Sequence, residues 1–179
     1  IGLGDQSLAP AIQRTLGLAQ LPTRLATGRA MSQSRPAMLL AALARFVEGR
    51  RFDEFAALVR HPDIERYVRH LHAASAGATS GSAALTVLDR YTSDHLQARV
   101  AQRWLGSDDK THETLDRLSA AVTALLPEDA GQTKPLPAWS QPIARVLQLI
   151  YGRDTLHRSD RDQANLIQGL EAITTLLRE

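Results

Sequence analysis

The sequence predicts a mainly α fold, about eight helices behind a short βαβ remnant at the N-terminus. Three observations predict it. After Ser34, apolar residues recur at helical spacing through almost the whole chain. Pro36, Gly49, Pro62, Pro142 and Gly152 stand where those stripes start or stop. The one alternating stretch of strand type, Leu21 to Thr27, lies before them.

Taken in order, Ile1 to Gly4 reads as the end of a buried strand. Asp5 or Ser7 is placed to cap a helix through about Leu18 with Leu8, Ile12, Leu16 and Ala19 on one face. Leu21 to Thr27 follows as a short strand closed by Gly28, completing a βαβ fragment too small to be a sheet by itself. Residues 1–33 are therefore expected to be the edge of an α/β lobe, and residues 34–179 a helical domain.

In that domain Ser34 and Pro36 open a helix with Leu39, Leu43, Phe46 and Val47 inward, stopping at Gly49. Asp53 is expected to cap a short helix carrying Phe55, Leu58 and Val59. Pro62 interrupts it and restarts another with Ile64, Tyr67, Val68 and Leu71 inward. Residues 73–82 read as a mobile small-residue loop. Ser82 opens a helix with Leu85, Leu88 and Tyr91. Ser93 or Asp94 is expected to cap a further one carrying Leu96, Val100 and Trp104. After a polar turn at 106–110, Leu115, Leu118, Val122 and Leu125 form the next stripe. A linker at 127–139 leads to a helix capped by Ser140, with Ile143, Val146, Leu147 and Ile150 on one face. Ser159 and Asp162 resemble a capping box before the last stripe, Leu166, Leu170, Ile173 and Leu177.

Composition narrows the function classes. With 179 residues and 44% of them apolar, the chain has ample material for a core. No apolar run approaches the roughly 18 residues of a membrane span. The absence of cysteine removes disulfides, thiol catalysis and Cys-based metal sites, and fits a reducing, cytoplasmic setting. The opening Ile1-Gly2-Leu3-Gly4 carries no leader pattern and reads as a piece of something longer. Charge is nearly balanced at +2, with 21 basic and 19 acidic residues interleaved, and only Lys110 and Lys134 among the basic ones are Lys. That pattern lacks the dense basic stripe of a dedicated DNA-binding domain.

Motifs of chemistry are sparse. There is no phosphate-binding loop of either glycine-rich type and no G-x-S-x-G elbow. His61, Asp63, Glu65, His70 and His72 invite a metal reading, but a helix starting at Pro62 turns His70 and His72 apart. His61 reads better as a cap residue. Pro62-Asp63 with Asp108-Asp109-Lys110 spells the scattered signature of a metal-dependent nuclease. That chemistry needs carboxylates on adjacent strands, whereas Asp63 begins a helix and Asp108 lies in a turn. Asp108 and Asp109 suit the N-terminus of the following helix. Trp104, Trp139 and Tyr151 are too scattered for a base-stacking platform and read as core or edge residues. Arg29, Arg35, Arg50, Arg51 and Arg60 fall in the most basic region, opposite Glu48, Asp53 and Glu54.

Two landmarks carry a resemblance. Gly28-Arg29-Ala30-Met31 follows a Pro-containing short strand, and Ala57-Leu58-Val59-Arg60-His61-Pro62 ends a leucine-rich helix. Leu21 to Val68 thereby resembles the AddB type of helicase/nuclease subunit, in the AddAB and RecBCD-like group of double-strand-break repair machines. The layout also echoes UvrD-like helicases, where a strand and Gly turn lead into a helical insertion. The resemblance covers about a third of the chain. It implies the helical insertion of a helicase-like body, with no catalytic residue, cofactor or metal of its own. It implies weak contact with DNA through Arg29, Ser32, Ser34, Arg35 and Arg60, an AddA-type helicase partner and no membrane. The family's C-terminal nuclease motif, its cysteines and an ATP-binding loop have no counterpart here. A helical protein-interaction module without a nucleic-acid role stays open beside it, as does a free-standing nuclease whose activity depends on Asp108.

Overall fold

The computed structural model describes residues 8–21, 30–73, 81–100, 103–106 and 108–178. Both strands of the expected βαβ remnant lie outside these residues, apart from Leu21. Among the described residues the architecture is helical throughout, with eight α-helices and a single antiparallel bridge.

Helix α1 (Ala9–Leu18) starts with Leu8 at its N-cap position and Pro10 in its first turn, and buries only Ala9. Its expected caps, Asp5 and Ser7, lie outside the described residues. A 3₁₀ turn, Met31–Gln33, leads into α2 (Arg35–Gly49), which buries Leu39, Leu43 and Phe46 as its spacing predicts. Helix α3 (Phe52–Val59) follows, then α4 (Pro62–Ala73) restarts at the proline. Helix α5 (Gly81–Asp94) packs on α6 (Asp109–Thr123), while α7 (Ser140–Tyr151) ends at Gly152 after a second 3₁₀ turn, Leu136–Trp139. Helix α8 (Arg161–Leu176) lies against α2. They approach closely at Gly169, where a Cβ would stand 2.9 Å from that of Ser34 and 3.1 Å from Cγ of Pro36.

One core unites α2 to α8. Leu39, Phe46, Phe55, Leu58, Ile64, Leu88, Leu115, Leu118 and Val122 are all essentially inaccessible. Each such side chain contributes roughly 1.5–3 kcal/mol by leaving water. Phe52 is the hub of an aromatic cluster, with ring centroids 5.9 Å from Phe55, 5.5 Å from Tyr91 and 6.2 Å from Trp104. The Trp104 indole N–H donates to Asp116 at 2.7 Å, satisfying its one polar atom.

Four local expectations are corrected. Residues 95–100 form no helix: the Val100 N–H turns to the Arg50 carbonyl at 2.9 Å, and Phe52 donates to Ala98 at 3.1 Å. Leu96, assigned to a buried stripe, is 99% exposed. Asp53 does not cap α3. Arg51 holds that position and its guanidinium grips Asp53 at 3.0 and 2.8 Å. Ser140 is not a cap either, because the preceding 3₁₀ turn runs straight into α7. Asp160, rather than Ser159, caps α8 by accepting from the Asp162 and Gln163 N–H groups at 2.9 and 3.2 Å.

Candidate functional site

Among the described residues, the one fully buried charged side chain stands at the start of α4. Pro62 suits a first helical position because it lacks the N–H that would otherwise go unused. Asp63 then falls in the first turn, where the helix dipole favours an anion. Its N–H donates to Nδ1 of His61 at 3.3 Å, so His61 caps the turn as its place before Pro62 predicts. The Asp63 side chain is fully buried.

A buried carboxylate needs partners for both oxygens. Arg35, the first residue of α2, reaches Oδ1 with its guanidinium. The Tyr151 hydroxyl, at the end of α7, donates to Oδ2 at 2.8 Å. Arg66, one turn further along α4, stands 3.3 Å from Oδ1 and 3.0 Å from Asp154. Its guanidinium also lies 5.6 Å from the centroid of the Tyr151 ring. Two cations thus meet two carboxylates. Burial pushes the His61 pKa down, Asp63 opposes that, and Arg35 adds to it, which keeps the ring neutral. Burial, then the adjoining Asp63 charge, drives the Tyr151 phenol far above its ordinary range, so it stays a donor.

With both oxygens occupied and no access to water, Asp63 acts as a clamp between α2, α4 and α7. Asp108 is engaged elsewhere: it caps α6, accepting from the Lys110 N–H at 3.2 Å and the Thr111 hydroxyl at 2.5 Å. Among the described residues no three His, Asp or Glu side chains are placed to hold a metal ion.

The residues expected to touch DNA are distributed unevenly. Arg29 lies outside the described residues. Ser32 is exposed in the first 3₁₀ turn. Ser34 holds the N-cap position of α2 without capping it, and its Oγ is buried with no hydrogen-bond partner. Ser34 and Arg35 come together at a hollow of about 320 Å³ against α8, with Asn165, Gln168 and Asp162 on its far side. Arg60 is at a different junction, where it pairs with Asp89 of α5 at 3.0 and 2.5 Å, both side chains exposed.

No family model, curated protein or solved structure matches the chain. No helix among the described residues is long and apolar enough to cross a membrane.

Sequence reasoning missed the clamp. In the sequence Asp63 reads only as a metal or nuclease ligand, and Tyr151 as a core or edge residue without a partner. The two are 88 residues apart, and no spacing rule links them. The readable signal was an Asp in a helix first turn behind His-Pro, with arginines available on both sides.

Proposed function

We propose that this chain is a non-catalytic helical segment of an AddB-like helicase/exonuclease subunit acting in double-strand-break repair. It would form a wall of a DNA channel and a docking face for an AddA-type helicase. One observation supports this reading most. The segment that follows the Gly-Arg-Ala-Met landmark starts α2 with Arg35, and the residue after the Arg-His-Pro landmark is Asp63. Their side chains form an ion pair. The two short motifs of the resemblance thus flank one structural joint, which suits a rigid wall better than a reaction centre.

The outer faces of Arg35 and Arg60 keep about 40% of their surface in water, so a phosphate can reach them without dismantling either pair. The expected test is co-elution of the purified chain with the AddA-type subunit of the same organism, with no cleavage of linear duplex in Mg²⁺. Failure to associate, or Mg²⁺-dependent cleavage, would overturn the reading.

A second reading, a protein-interaction module with no nucleic-acid role, is favoured by a different feature. An apolar groove of about 530 Å³ runs between α2 and α7, lined by Leu40, Val47, Leu126, Trp139 and Ile143.

A further inference from the structure

We infer that the antiparallel bridge between Arg51 and Arg99 displays a phosphate-binding face, and that its ligand is the backbone of a nucleic acid. The inference deepens the DNA reading above and rests on it, while moving a principal contact to residues other than those the resemblance implies.

The geometry is specific. The Phe52 N–H bonds to the Ala98 carbonyl, and the Val100 N–H bonds to the Arg50 carbonyl. Arg51 and Arg99 therefore form the non-hydrogen-bonded pair of the bridge, the arrangement in which opposed Cα atoms approach to about 4.5 Å on one face. Like charges directly opposite destabilise a bridge. Among the described residues no carboxylate is paired with Arg99. Arg51 is paired only with Asp53, and both of those side chains are more than 60% exposed. Such a pair is worth little and yields readily to a competing anion. Asp53 and Glu54 are the carboxylates felt by Arg51.

Arg50 leads into the bridge. It ends α2 at φ +48°, the left-handed region that usually takes Gly or Asn, and its guanidinium sits 5.2 Å from the Phe46 ring centroid. Gly49 stands just before it. That glycine has its own use: a Cβ there would meet Cγ of Arg51 at 3.2 Å, so the arginine stem lies along it.

The platform is rigid. Gln97 donates to the Arg99 carbonyl at 2.8 Å and accepts from the Tyr91 hydroxyl, which itself accepts from the Leu105 N–H at 2.8 Å. Phe52, between Tyr91 and Trp104, fixes the other side of the bridge. Preset cations on a stiff ribbon bind a polyanion with little ordering cost. Each phosphate neutralised steepens the salt dependence by about one unit of slope.

The test is fluorescence anisotropy of a labelled duplex titrated with the full chain across a salt series. Arg51→Gln removes one cation of the bridge pair. Arg99→Gln removes the opposed cation. Arg158→Gln, at a distant exposed pair with Glu171, is the control. Each of the first two should weaken binding on the order of tenfold and lower the salt slope by about one, with the control unchanged. If both variants bind as the wild type does, this face is wrong while the DNA reading survives through Arg35 and Arg60. A wild type with no salt-sensitive binding also overturns the face, and co-elution with the helicase partner then judges the broader reading separately. Polyglutamate competing as well as duplex at equal charge would overturn the assignment to nucleic acid.

Discussion

The Tyr151 hydroxyl donates to Oδ2 of Asp63 at 2.8 Å across 88 residues of sequence, inside the core. Arg35 takes the other oxygen of the same carboxylate, so a single buried side chain joins the first residue of α2, the first turn of α4 and the last residue of α7.

Removing that carboxylate should be costly. Asp63→Ala strands the Tyr151 hydroxyl and leaves Arg35 and Arg66 without their shared anion. A loss of about 3 kcal/mol is expected, read by urea unfolding. Arg35 is partly exposed and can turn to water, which keeps the figure at the low end for a broken buried pair.

Tyr151→Phe keeps the ring beside Arg66 and deletes only the hydroxyl. The expected loss is about 1–2 kcal/mol. A double-mutant cycle with Arg35→Gln should show coupling, because both residues act on one carboxylate.

Acid should weaken the fold through His61. Burial lowers its folded pKa, so the unfolded chain takes up the proton first as pH falls through about 6.5. The stabilisation is whole above that value and is lost progressively below it, toward the lower folded pKa. Melting temperatures of wild type and His61→Asn between pH 7 and pH 5 should converge as pH falls. At the alkaline end Tyr151 acts in the opposite sense. Its raised pKa keeps it protonated while the unfolded phenol ionises above about 10, so stability falls there.

Gly169→Ala improves helix propensity in α8 by about 1 kcal/mol and should still destabilise the protein. The added Cβ meets Ser34 Cβ at 2.9 Å, an atom with no freedom to swing away. Prising α8 from α2 costs about 1–3 kcal/mol, and thermal melts should show a net decrease.

The helical stripes were legible because their period is local. Leu39, Leu43 and Phe46, or Leu115, Leu118 and Val122, bury one face whatever lies opposite. The stretch from Leu96 to Val100 misled because its apolar spacing fits a helix, whereas the Arg50 carbonyl, 50 residues away, captures the Val100 N–H. The clamp was hidden for the same reason. Asp63 looks identical in sequence whether it meets a metal ion or two arginines and a tyrosine, and only the packing of α2 and α7 against α4 decides which.

The buried carboxylate of Asp63 fastens α2, α4 and α7 together. That role is tested by the melting temperature of wild type and Asp63→Asn with and without Mg²⁺ or Mn²⁺. The wild type should be indifferent to either ion, and the variant should melt several degrees lower in all conditions. A wild type raised by the metal, with the gain abolished in Asp63→Asn, would make Asp63 a ligand and contradict it.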